Sequence, residues 1–157
     1  MLTITRAATG DDIATIRVLF HEYQELLGVD LCFQGFEAEL NGLPGAYAPP
    51  SGRLLLATHE DAPVGCVALR SAGASRSEMK RLFVRPAARG LGVGRALVSL
   101  VLDEARAIGY SEVVLDTLPT MTEAQRLYEK FGFHDISAYR PNPVHGTRYL
   151  AKRLTGA

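Results

Sequence analysis

The sequence predicts a mixed α/β (α+β) fold: a mostly antiparallel sheet of six to seven strands with one central parallel β-α-β crossover, covered by helices on both faces. Three observations carry that reading. Residues 53–58 and 64–69 are two apolar runs joined by His59-Glu60-Asp61-Ala62-Pro63, the pattern of an antiparallel hairpin of buried strands. Residues 78–84 form a strand-like run followed by a glycine-rich turn, a long apolar helical stripe and a second strand at 112–117, the order of a right-handed parallel crossover. The tail returns as two further strands, 133–137 and 148–152, around a loop holding Pro141 and Pro143.

Each element has a local reason. Leu2-Thr3-Ile4-Thr5-Arg6 alternates apolar and polar, the period of a half-buried strand. Thr9 and Asp12 make a capping-box-like start to a helix whose apolar positions are Ile13, Ile16, Phe20, Tyr23 and Leu27, and Gly28 closes it. Its opposite face, with Arg17, His21 and Glu25, reads as solvated. Residues 36–40 read as a short helix ended by Gly42-Leu43-Pro44-Gly45. Residues 47–52 must be loop, because Pro49 and Pro50 donate no backbone hydrogen bond, and such a loop is a candidate pocket wall, with Phe33, Phe36 and Tyr47 open equally to lining it or to joining the core.

Gly73-Ala74-Ser75 turns the chain into the strand at 78–84, which Pro86 stops. Period two puts Glu78, Lys80, Leu82 and Val84 on one face and Met79, Arg81 and Phe83 on the other. Val93, Ala96, Leu97, Leu100, Val101, Ala105 and Ile108 trace one helical stripe, ended by Gly109. Thr120 with Glu123 reads as a capping box for the last helix, whose stripe is Ala124, Leu127, Tyr128 and Phe131.

Composition narrows the function. With 157 residues and no repeat or linker, residues 1–157 read as one domain. Seventeen basic and seventeen acidic side chains cancel, which argues against nucleic acid as a partner. Cys32 and Cys66 are too few for a disulfide framework, and Cys66 sits in an apolar run as a core residue rather than a nucleophile. His21, His59, His134 and His145 show no metal-ligand spacing, so no metal is expected. Arg6 and Asp11-Asp12 interrupt any signal peptide and no long apolar run follows, so the expected setting is cytoplasmic, with no membrane partner.

The chemistry concentrates at Arg89-Gly90-Leu91-Gly92-Val93-Gly94. Alternate glycines allow a tight turn with uncovered backbone N–H groups, and the helix that follows adds its own N–H groups and dipole. Arg89 and Arg95 flank it, making an anion site suited to a phosphate or pyrophosphate. A Walker loop would end in Gly-Lys-Ser/Thr, whereas Arg95 and Ala96 follow Gly94. A dinucleotide fingerprint would place a glycine where Arg95 stands, although Asp116 occupies the place of its ribose-binding acid; it would also open a series of parallel units, and this chain offers one.

The stretch resembles the acyl-CoA-binding motif of the GNAT family of N-acetyltransferases, Gln/Arg-x-x-Gly-x-Gly/Ala. The strand exit Leu82-Phe83-Val84-Arg85-Pro86, the strand Leu115-Asp116-Thr117 and the helix exit Leu127-Tyr128-Glu129-Lys130-Phe131-Gly132-Phe133 stand at family spacing, and the family's element order fits from Thr3 to Leu154. The resemblance implies that Arg89, Gly90, Leu91, Gly92, Val93, Gly94 and Arg95 hold the pyrophosphate of acetyl-CoA. It also implies that Leu82, Phe83 and Val84 present main-chain groups to its pantetheine across a gap beside the strand at 115–117.

The implied activity is direct transfer of an acetyl group from acetyl-CoA, as co-substrate, to the primary amine of a small molecule or peptide. By the same resemblance Tyr128 meets the cofactor sulfur and protonates the departing thiolate. Glu78 is the first candidate base and Asp116 the second. The acceptor site is expected among the first helix, residues 42–52 and residues 139–146, with Tyr23, Phe33, Tyr47, Tyr139, Glu22, Arg140 and His145 as candidate contacts. A non-catalytic acyl-CoA sensor of the same fold is the alternative, and a homodimer stays open.

Overall fold

The computed structural model describes residues 1–28 and 35–154, so Cys32 and Phe33 lie outside the described residues. The strands are β1 (Leu2–Arg6), β2 (Arg53–His59), β3 (Ala62–Ser71), β4 (Arg76–Val84), β5 (Glu112–Thr117), β6 (His134–Asp135) and β7 (Arg148–Arg153). The helices are α1 (Gly10–Leu27), α2 (Phe36–Asn41), α3 (Val93–Ile108) and α4 (Thr122–Lys130). One seven-stranded sheet runs in the order β1-β2-β3-β4-β5-β7-β6. Among the described residues only β4 and β5 pair in parallel, as expected for the strands joined by the α3 crossover.

The sheet is apolar on both faces, which explains the unbroken runs in β2 and β3. Leu55, Val67, Leu69 and Met79 meet Leu97, Val101 and Ala105 of α3 on one side. Leu54, Leu56, Cys66, Ala68 and Phe83 meet Ile16, Leu19 and Phe20 of α1 and Phe36 and Leu40 of α2 on the other. Thr9 and Asp12 form the expected box, with the Asp12 N–H donating to Thr9 Oγ1 at 3.1 Å and the Thr9 N–H donating to Asp12 Oδ2 at 3.2 Å.

Four local expectations are corrected. The link between β2 and β3 shrinks to Glu60 and Asp61, both left-handed (φ 51° and 64°), because such a turn matches the twist of the two strands. Thr120 does not cap α4: the N-cap is Met121, with no side-chain cap bond. The Tyr47 ring does not face a pocket. It is buried against Phe20 at 6.4 Å between centroids.

The fourth correction matters most. The ladder between β3 and β4 shifts between Cys66–Phe83 and Ala68–Lys80, so two residues of β4 oppose Val67. Arg81 takes the left-handed conformation there, with φ 61°. This bulge reverses the alternation. Leu82 and Val84 pack on the α3 side, whereas Glu78 and Lys80 face the α1 side, so Glu78 does not share a face with Leu82 and Val84.

The bulge also leaves β4 where β5 cannot follow. Parallel pairing covers Arg76–Glu112, Ser77–Val113 and Glu78–Val114 and then stops, while β5 stays paired with β7 through Thr117. The sheet opens into a fork between Arg81–Leu82 and Leu115–Thr117.

Candidate active site

On the α3 side of the fork the glycine turn behaves as its composition dictates. Gly90 and Gly92 are left-handed (φ 87° and 77°), and Gly92 is the N-cap of α3. A glycine cap carries no side chain to satisfy the first N–H groups of the helix, which therefore face outward with the positive end of the dipole. These groups border a groove of about 850 Å³ between the turn and α4. Leu82, Phe83, Val84, Arg89, Gly90, Gly92, Val93 and Gly94 all line it. Leu91 and Arg95 are exposed beside it and are not part of its lining.

The groove has a second basic wall that sequence reasoning missed. Arg126 and Lys130 of α4 line it with Arg89, against one carboxylate, Glu123. Their four-residue spacing on the polar face of the last helix was the available signal.

The groove leads into the fork. A cavity of about 30 Å³ there is lined by Met79, Lys80, Arg81 and Leu82 of β4, Leu115, Asp116 and Thr117 of β5, and by Tyr23, Tyr128 and Asn142. Tyr23, Leu27, Leu82 and Met121 line both spaces, so the two adjoin at the fork. Tyr128 lies in the cavity and not in the groove, buried against Phe133 at 5.7 Å between centroids. Burial, then the nearby Tyr23 and Asp116, pushes its phenol well above the usual range, so it keeps its proton.

The α1 side of the fork is a buried polar network. The Arg81 guanidinium donates to both oxygens of Glu39 at 2.9 and 2.7 Å and lies over the Phe36 ring at 5.1 Å. That pair fixes the side chain of the bulge residue itself. Glu78 is 1% exposed, inside the sheet rather than at a solvated strand end. It accepts from the Tyr139 hydroxyl at 2.7 Å, is bonded by Arg140, and lies 3.3 Å from Arg70 Nε. Arg140 also reaches across the fork to Asp116, with Nε 3.4 Å from Oδ2. The segment that sequence assigned to the acceptor site thus clamps β4 to β5 at the point where they part.

The two candidate bases fare differently. Asp116 lines the cavity, and its buried Oδ2 has no hydrogen bond of good geometry. Glu78 lines neither space, and its oxygens are engaged by Tyr139, Arg140 and Arg70. Thr117 is 3% exposed, and its Oγ1 lacks a partner where it borders the cavity. Lys80 is held down to about 8 by burial first and the charge of Arg81 second. Of the expected acceptor elements, α1 supplies Tyr23 and Leu27 and the late loop supplies Asn142, but residues 42–52 contribute nothing to the cavity.

The sheet thus forks beside its parallel pair, with a basic-walled groove on one side and a polar recess on the other. The chain belongs to the acetyltransferase (GNAT) family, whose model matches residues 16–133. It is 38% identical over 156 residues to an uncharacterized N-acetyltransferase of Schizosaccharomyces pombe, covering 98% of this chain and 96% of that one. A GNAT-family acetyltransferase of Staphylococcus aureus shares the fold at a TM-score of 0.82 and 20% identity, covering 99% of this chain and all (100%) of its own. A Salmonella typhimurium structure that holds acetyl-CoA as its cofactor superposes at a TM-score of 0.70 with 20% identity, covering 99% and 95% of the two chains. Among the described residues no helix is long and apolar enough to cross a membrane.

Proposed function

We propose that the chain works as one cytoplasmic domain that transfers an acetyl group directly from acetyl-CoA to a primary amine within a ternary complex. One observation carries this reading: the basic-walled groove and the buried cavity share Tyr23, Leu27, Leu82 and Met121 where the sheet forks, which suits a long anionic thioester and an amine brought to one point. The residues fit the donor. Arg89, Arg126, Lys130 and the α3 N–H groups suit its phosphates, and the β4 edge beyond Glu78, unpaired with β5, offers main-chain partners to its amides.

The chemistry then divides among three groups. Asp116 receives the ammonium of the acceptor and takes one proton from it. A backbone N–H between Leu82 and Val84 stabilises the oxyanion as the nitrogen–carbon bond forms. Tyr128 donates its proton to the sulfur as the carbon–sulfur bond breaks and recovers one from the amide nitrogen. The balance is one amide, one free thiol and one proton released to solvent. Glu78 acts through Arg140 and Arg70, holding them beside the fork, rather than on the amine itself.

Calorimetric titration with acetyl-CoA tests the donor site. The native protein should bind it, and Gly92→Asp, which sets a carboxylate among the N–H groups of the turn, should weaken binding roughly 100-fold. Undiminished affinity in that variant would refute the site. Thiol release on adding amines separates an enzyme from a sensor that binds without turnover.

A further inference from the structure

One buried hydroxyl at the fork contributes nothing to holding it together. Thr117 ends β5 and is 3% exposed, yet its Oγ1 has no hydrogen-bond partner among the described residues. A polar group shut away from water and left unbonded weakens a fold, and native chains carry few of them. Position says what this one faces. β5 pairs with β7 without a shift of register, so Thr117 shares a face with Val113 and Leu115, both in the core on the α3 side. Asp116 lies on the other face, beside Arg140. On the α3 side the cavity is lined by Met79, Leu82 and Leu115, and Thr117 and Tyr128 supply the hydroxyls there. The space is about 30 Å³, so a group that enters it from the groove meets both.

We infer that Thr117 is a second catalytic residue for the leaving group: its hydroxyl donates a hydrogen bond to the sulfur of acetyl-CoA as the carbon–sulfur bond breaks. This deepens the proposed function and rests on its bringing the thioester into the fork. With the carbonyl oxygen held on the β4 prong by an N–H between Leu82 and Val84, the sulfur lies toward the β5 prong. Thr117 belongs to that prong, and Tyr128 packs on the same wing against Phe133, the residue before β6. The electron pair of the broken bond passes to sulfur, the proton comes from Tyr128, and Thr117 keeps its own. A hydrogen bond of this kind strengthens as charge gathers on the sulfur, so it favours the transition state over the bound thioester. Because Oγ1 is unbonded in the free protein, no internal bond has to break before it reaches the sulfur.

The test replaces Thr117 by valine, which keeps the shape and removes the hydroxyl, and by serine, which keeps the hydroxyl. Thiol release is followed with the best acceptor from a panel of simple amines, amino acids and short peptides. Thr117→Val should lower kcat about 10- to 30-fold and leave the acetyl-CoA dissociation constant within about twofold. It should also melt no lower than the native protein, since the hydroxyl it loses was unbonded. Thr117→Ser should recover most of kcat. Combined with Tyr128→Phe, the Thr117→Val loss should fall short of the product of the two single losses, because both groups serve one atom. A native kcat in Thr117→Val, a loss that serine does not recover, a lower melting temperature, or losses that simply multiply would overturn the inference and leave the acetyltransferase reading standing. A native protein that releases no thiol with any member of the panel would overturn both.

Discussion

Replacing Lys80 by methionine should stabilise the protein at neutral pH, and by less as the solution becomes alkaline. Lys80 is 8% exposed, and its ammonium falls from 10.5 to about 8, through burial first and then the charge of Arg81. That fall corresponds to a cost of about 3 kcal/mol for keeping the charge inside the fold at pH 7. Between about pH 8 and 10.5 the unfolded chain still holds a proton that the folded chain has released, so this cost fades as pH rises through that window. Methionine carries no such cost but gives up the polar interactions of the lysine, about 1 kcal/mol. The net gain is about 2 kcal/mol, or roughly 4–8 °C in Tm for a chain of this size.

Urea unfolding followed by circular dichroism at pH 7, 9 and 10 would measure it. The Cys66 thiol and the buried phenols, all pushed up by burial, weaken both proteins in alkali, but equally, so they drop out of the difference. A Lys80→Met protein less stable than the native one at pH 7, or a gap that does not change with pH, would refute the reasoning.

Tyr128→Phe should lower kcat by about 100-fold or more while leaving acetyl-CoA affinity within a few-fold, read by steady-state kinetics and calorimetry together. Asp116→Asn should reduce kcat/KM for the amine by a similar factor without affecting donor binding; full activity would remove Asp116 from the base role. Glu39→Gln strands the buried Arg81 charge and should cost about 3–5 kcal/mol, a fall of roughly 10 °C in Tm. Burial pushes Glu39 up, but its bonds to Arg81 outweigh that and hold the carboxyl below its ordinary 4.5, so native stability should fall as pH drops below about 4.5, and Glu39→Gln should flatten that loss.

The parts legible in sequence were those written in local periodicity. The hairpin runs, the glycine turn and the α3 stripe each need only near neighbours to declare themselves, and each appears where it was expected. The bulge at Arg81 was invisible because nothing local marks it. A non-glycine residue takes a left-handed conformation there, and what accompanies it is Glu39, 42 residues earlier. That one bulge reversed the faces of β4 and moved Glu78 away from Leu82 and Val84. Arg140 was recognisable as a candidate, but its bridge from Glu78 to Asp116 is made 62 residues from the first of them, through a loop without periodicity. Tyr47 stood open between pocket and core because its proline-rich surroundings carry no periodicity, and the ring completes the core beneath α1.

The most direct test of the central claim counts products. Acetyl-CoA is incubated with the native protein and an amine panel, free thiol is measured, and the acceptor is examined by mass spectrometry. One acetyl amide on the acceptor for each thiol released, at a rate that Gly92→Asp lowers roughly 100-fold when acetyl-CoA is limiting, is the result expected. Tight acetyl-CoA binding with no thiol release, or thiol release with no acetylated amine, would contradict it.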